Sequence, residues 1–220
     1  MKDFQFQYKD LKSFSESNPY TSIPSEYHDL YNQLKTLEKD LNFPAVHDDI
    51  GSTLNFLFQL FSPRNIFEFG SGYGQSAFWY FLNNPSIEKI ILTEKRDDLV
   101  EKFHALPWPS QWKEKMEYHQ EDAFETIKRL DSVDFVLIDG VKANYKDFLQ
   151  ECESKITANG LVAIDNSFWR GSFMYDEMVE KKKSARKIKE LHDYISASEF
   201  WTAIFLPFTD GLTLLRPKSK

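Results

Sequence analysis

The sequence has 220 residues, 41% of them hydrophobic and 28% charged, which suits one globular domain with a sizeable core. A formal net charge of −7 gives no bulk attraction for a polyanion. The one cysteine, Cys152, excludes an internal disulfide, and no stretch approaches the roughly 20 apolar residues of a membrane span.

The N-terminus, MKDFQFQYKD, has no apolar signal-peptide core, so the chain reads as cytoplasmic. Residues 1–24 are polar and aromatic, with Pro19 and Pro24, and read as an arm laid over the domain or a partner. From Ser25, the apolar positions Tyr27, Leu30, Tyr31, Leu34, Leu37 and Leu41 follow helical spacing. A second helix over 47–61 stops at Ser62-Pro63, and an α/β core is expected over 62–220. Strands are predicted at 65–69, 89–93, 115–119, 133–138 and 161–165, and helices at 76–82, 97–105, 122–130 and 144–156. Such alternation implies a parallel sheet with right-handed crossovers. A long charged helix over about 175–197 then precedes two apolar runs, 200–206 and 212–216. The link between those runs is too short for a crossover helix, so the pair has to be antiparallel. The expected fold is a doubly wound, seven-stranded, mostly parallel α/β sheet with an antiparallel C-terminal hairpin strand and added N-terminal helices. That order resembles the Rossmann-like arrangement of class I methyltransferases.

The most informative stretch is NIFEFGSGYGQSAFWYFL, residues 65–82. Ile66, Phe67 and Phe69 make a short buried strand, Gly70, Gly72 and Gly74 a G-x-G-x-G turn, and a helix follows from Ser76. Glycine is needed where the backbone takes positive φ or must let a ligand touch it. Strand, glycine turn and helix together form the nucleotide-binding corner of a doubly wound sheet. A dinucleotide would set its pyrophosphate on the helix N-terminus, and Glu68 opposes that anion. The ammonium and sulfonium of S-adenosylmethionine would instead be attracted to it. The glycine spacing also differs from the dinucleotide G-x-G-x-x-G. Glu94 closes the run KIILTE about 20 residues further on, where a ribose-binding acid is expected for either cofactor.

Two further strand ends carry polar groups: VDFVLIDG ends at Asp139, and GLVAIDN at Asp165 and Asn166. Ligands of open α/β sheets sit outside the carboxyl ends of the strands, so these residues would meet at the edge that carries the glycine turn. Any one of them is ordinary at a strand end. Two carboxylates and an amide oxygen together suit a hard divalent cation such as Mg²⁺. The five histidines, His28, His47, His104, His119 and His192, show no metal-ligand spacing.

LIDGVKANY followed by GLVAIDNSFWRG resembles the cation-dependent O-methyltransferases related to catechol and caffeoyl-CoA O-methyltransferases, and the likeness runs from about Val46 to Arg216. The resemblance implies that Asp139, Asp165 and Asn166 bind the metal and that Lys142 is the base; the alternative role for Lys142 is a cation that stabilises the oxyanion. It also implies that Val46, Glu68, Gly70, Ser71, Ser76, Glu94 and Ala123 hold S-adenosylmethionine, to which the turn adds Gly72 and Gly74 and the strand end Asp139. Trp169 and Arg170 follow on a loop, as walls of an acceptor pocket or as packing. Val141 stands where plant members carry an acid, GSGYGQS replaces a motif nearer G-T-x-T-G-Y-S, and Glu121 replaces a common glycine. The expected partner is a small aromatic, catechol-like acceptor, with no membrane; a second copy of the chain stays open. Some bacterial relatives methylate a hydroxylated wobble uridine, and the run KKKSARKIK at 181–189 keeps tRNA open as well, although such runs are usually solvated helix faces. An NAD-type oxidoreductase and a non-catalytic cofactor-binding protein are the remaining alternatives.

Overall fold

The computed structural model describes residues 23–207 and 209–218, so the arm expected over 1–24 lies outside the described residues except for Ile23 and Pro24. The strands are β1 (Asn65–Phe69), β2 (Lys89–Thr93), β3 (Met116–His119), β4 (Val133–Ile138), β5 (Ile156–Ile164), β6 (Trp201–Leu206) and β7 (Leu212–Pro217). They form one sheet in the order β3-β2-β1-β4-β5-β7-β6. The pairs among β1 to β5 are parallel, and β7 runs antiparallel to both β5 and β6, as the short link before it requires.

Side chains alternate along each strand, so Ile66, Phe135 and Leu137 join one core and Phe67, Val136 and Ile138 the other. The first core lies under α1 (His28–Leu41), α2 (Asp48–Phe61), α3 (Gln75–Phe81), α4 (Asp97–Ala105) and the short α5 (Ser110–Lys113). In α2 the buried positions Ile50, Leu54 and Phe58 recur every four residues, the period of one helix face. Phe58 stacks on Tyr80 at 5.2 Å between ring centroids and meets Phe135 edge-on at 4.7 Å. Burying one such side chain stabilises the fold by roughly 1.5–3 kcal/mol. The second core lies under α6 (Ala123–Lys128), α7 (Tyr145–Cys152) and α9 (Lys183–Ala197), with α8 (Asp176–Lys181) just before α9. Cys152 is fully buried there among apolar side chains. Among the described residues no helix is long and apolar enough to cross a membrane.

Three elements depart from the sequence-based expectation. The long charged helix is two helices, with Lys182 extended between them at φ −118° and ψ 119°. Only the second half carries a buried stripe (Ala185, Ile188, Leu191, Ile195), so nothing holds α8 collinear with it. Strand β5 begins at Ile156, five residues before the expected start, because Asn159-Gly160 sits inside it rather than in a turn. A Cβ on Gly160 would lie 2.7 Å from Ile156 and 2.9 Å from the Asp134 carbonyl oxygen, the close approach that accompanies the register shift between Val133 and Phe135. The helix predicted over 144–156 is α7, which ends at Cys152 to let this longer strand begin.

Candidate active site

Three strands end on one rung. Phe69 pairs with Ile138, which pairs with Ile164, so the next residues, Gly70, Asp139 and Asp165, emerge side by side. Asp139 N donates to Phe69 O at 2.9 Å, and Asp165 N to Ile138 O at 3.1 Å. The chain runs from β1 out to β3 and returns to β4 on the other side of β1, which makes the β1/β4 gap the switch point where such sheets bind ligands. Gly70 is at φ +89°, and a Cβ there would lie 2.7 Å from both Asp139 O and Gly140 Cα. Only glycine fits that position.

Glu68 shares the sheet face of Ile66 and therefore points beneath α3. It is 1% exposed, and Ser76 Oγ donates to its carboxylate, 2.6 Å from either oxygen. Burial lifts its pKa to about 8; the Ser76 bond opposes the rise, and the charges of Asp139 and Glu94 add to it. Among the described residues no cation is paired with Glu68. A buried carboxylate left without a counter-charge suits a ligand that brings positive charge. The cleft above it is lined by Val46, Gly70, Ser71, Gln75, Ser76 and Asp139, and by the segment Phe43-Pro44-Ala45. Phe43 is itself held by an edge contact with Tyr73 at 5.8 Å and by the Arg96 guanidinium 5.7 Å from its ring centroid.

Asp165 is buried and the Asp139 side chain is 12% exposed, and both carboxyls are pushed up. Burial is the main cause for each; the Asp165 charge adds for Asp139, and backbone donation from Asn166 at 2.7 Å opposes for Asp165. Lys142 Nζ lies 3.5 Å from Asp139 Oδ1 and is the cation that opposes both. Two carboxylates facing one lysine leave surplus negative charge. Among the described residues no three His, Cys, Asp or Glu side chains cluster as a metal site. Asn166 sits at φ 52°, a left-handed conformation that Asn tolerates better than most residues. Its loop is braced from the C-terminal hairpin: Ser167 N donates to Gly211 O and Phe168 N to Asp210 O, each at 2.9 Å, and Thr213 Oγ1 donates to Ser167 Oγ at 2.8 Å.

Comparison with known proteins settles the class. A family described as O-methyltransferase matches residues 21–218. The chain belongs to the O-methyltransferase family. This O-methyltransferase is an S-adenosylmethionine-dependent enzyme. It is 25% identical over 191 residues to caffeoyl-CoA O-methyltransferase 1 of Eucalyptus globulus, spanning 82% of this chain and 78% of that one. Its fold is similar to that of O-methyltransferase TomG from Streptomyces achromogenes, which is involved in tomaymycin synthesis and was solved with SAM (TM-score 0.82, 17% identity, 96% of each chain). It is also similar to an O-methyltransferase from Bacillus cereus solved with SAH (TM-score 0.82, 17% identity, 95% of this chain and 97% of that one).

In this O-methyltransferase six of the expected cofactor residues, Val46, Glu68, Gly70, Ser71, Ser76 and Asp139, meet in the one cleft. Gly72 and Gly74 do not line it. They have φ +52° and +86°, and a Cβ on either would strike Phe43 or Phe103 at 2.7 Å, so both serve the turn. Glu94 follows β2 and accepts from the backbone of Lys95 and Arg96 at 2.7 and 3.1 Å. Ala123 is buried at the start of α6, whose Asp122 cap accepts from Phe124 N at 2.9 Å. Trp169 turns its ring toward Lys142, whereas Arg170 is exposed at φ 55° with its backbone N bonded to Asp210. Sequence reasoning missed Gln75, which lines the cleft, donates to Val46 O at 3.0 Å and accepts from Tyr73 at 2.8 Å. Its signal was a buried amide at the head of an otherwise apolar helix.

Proposed function

We propose that this O-methyltransferase is cation-dependent and methylates a hydroxyl of a small, catechol-like aromatic acceptor. The observation that carries the reading is the pair Asp139 and Asp165, side by side on one rung beside the cleft, with Lys142 Nζ 3.5 Å from Asp139. The all-oxygen set fits a hard cation such as Mg²⁺, which Asp139, Asp165 and Asn166 would hold. Bound there, such an ion supplies positive charge that makes an acceptor hydroxyl more acidic and fixes its direction. S-adenosylmethionine would supply a methyl carbon whose bond to sulfur breaks as its bond to the acceptor oxygen forms, the hydroxyl proton having passed to solvent water. Glu68 offers its carboxylate to the positive charge of that cofactor, and Ser76 orients the carboxylate. The ion pair of Lys142 with Asp139, together with the ring faces beside its Nζ, favours a cation that faces the acceptor oxygen over a base.

Exposed apolar side chains flank this edge: Val141 next to Lys142, then Met174 and Tyr175 at the end of the turn that starts at Trp169. A flat apolar ring suits such a rim. Phosphate suits the basic run less well, because three of its six cations are already paired, Lys181 with Glu177, Lys187 with Glu190 and Lys189 with Asp193, at 2.5–2.6 Å. A cytoplasmic location belongs to the same reading and rests on the use of a single cysteine. The test offers a catechol panel and hydroxyuridine-containing tRNA side by side, with and without EDTA. Expected is methylation of catechols that chelation stops and Mg²⁺ restores. Robust tRNA labelling with inert catechols overturns the acceptor, and full activity in excess EDTA overturns the cation.

A further inference from the structure

Lys142 carries a long, flexible side chain, yet it has to keep one place for the chemistry above. Its ion pair with Asp139 spans 3.5 Å between residues three apart, and such a contact alone holds a lysine weakly. Two aromatic rings supply the rest. Lys142 Nζ lies 5.4 Å from the centroid of the Tyr145 ring and 5.8 Å from that of Trp169, both within the roughly 6 Å reach of a cation–π contact.

Neither ring is free to drift. Tyr145 is fully buried in the first turn of α7, and among the described residues its hydroxyl has no hydrogen-bond partner. Its ring is the part of the side chain that meets Lys142. Trp169 reaches in from the loop after Asn166, at φ 43°, and its indole N donates to Ser184 Oγ at 3.0 Å. Ser184 stands in the first turn of α9, which is seated through Ala185 and Ile188. We propose that Tyr145, Trp169 and Ser184 are positioning residues: the two rings clamp Lys142 Nζ beside Asp139, and Ser184 fixes the plane of the second ring. The inference rests on the proposed catalytic role of Lys142, but the clamp itself can be read without turnover.

The test uses the full chain labelled with ¹³Cε-lysine, free of cofactor and metal, with Lys142 assigned through Lys142→Arg. Ring currents should move the Lys142 ε-methylene protons upfield of the other lysines. Trp169→Leu should return them to the ordinary position, Ser184→Ala should move them part of the way, and Trp169→Phe and Tyr145→Phe should leave them shifted. In turnover, Trp169→Leu should lower kcat about tenfold or more, the scale of a mispositioned catalytic group, with acceptor KM and S-adenosylhomocysteine affinity within about twofold. The same change made in a Lys142→Met background should cost nothing further, because it acts through Lys142. A Lys142 signal at the ordinary position in the unaltered chain overturns the clamp, as does a Trp169→Leu that raises KM alone. A shifted signal in a chain that methylates no acceptor supports the clamp and counts against the proposed function.

Discussion

Gly70 and Asp139 share a wall: any side chain at Gly70 would stand 2.7 Å from the Asp139 carbonyl oxygen. The turn that opens the cofactor cleft and the strand end that carries the first carboxylate are therefore one packed unit. Gly70→Ala combines this clash with a left-handed backbone, a conformation that alone costs roughly 1–3 kcal/mol. We expect urea denaturation to show at least that loss, and calorimetry to show weakened S-adenosylhomocysteine binding. Retention of both would mean the two loops move independently.

Asp139 and Asp165 should separate by function. Asp139 lines the cofactor cleft and Asp165 does not. Asp165→Ala should abolish turnover while S-adenosylhomocysteine still binds, and Asp139→Ala should impair both. The loss in kcat should exceed the roughly 10–100-fold typical of a residue that only supports a metal ligand. Turnover measured beside calorimetry decides it, and an active Asp165→Ala would remove the metal from the reaction.

The buried Glu68 gives stability a pH signature. Its folded pKa is raised from 4.5 to about 8, so across that window the folded chain keeps a proton that the unfolded chain has released. Stability then falls as pH rises through the window. Below it both states are protonated and the difference vanishes; above it the full cost is present. Glu68→Gln keeps an acceptor for Ser76 and removes the titration. In the cofactor-free protein its Tm should exceed that of the unaltered chain above pH 8, with the gain shrinking toward pH 4.5. A gap that does not vary with pH would show that Glu68 does not titrate in that range.

The basic run should prove silent. Lys182→Glu with Lys183→Glu is expected to leave kcat/KM for a small acceptor within about twofold. Activity should also change little between about 50 and 200 mM salt, where phosphate contacts weaken steeply. A steep salt dependence that these changes abolish would restore a nucleic-acid partner.

Much of this molecule was legible because its signals are local. Short apolar runs closed by Asp139 and Asp165, and a glycine turn after Phe69, placed the strand ends and their order of emergence. The antiparallel end followed from chain length alone, since 207–211 cannot span a crossover. What stayed hidden depends on partners remote in sequence. The start of β5 at Ile156 stays hidden until Asp134 is seen pressed against Gly160. Gly72 and Gly74 read as ligand glycines until Phe43 and Phe103 fill the space above them. The continuous helical spacing across Lys182 says nothing of which half finds a surface to cover. The clamp on Lys142 joins residues from three separate elements, and Ser184, which holds it together, has no local signature at all.

Strand β7 enters between β5 and β6, and the residues just before it brace the Asp165-Asn166 loop. During synthesis the first five strands can pair in the order in which they emerge, yet the loop after Asp165 lacks its backbone bonds to the hairpin until residues 210–213 arrive. Those residues lie in and just before β7, the last strand of the sheet in chain order. A chain cut before residue 210 would thus keep most of its sheet and its glycine turn while lacking that brace, so competence to react arrives only with the last strand.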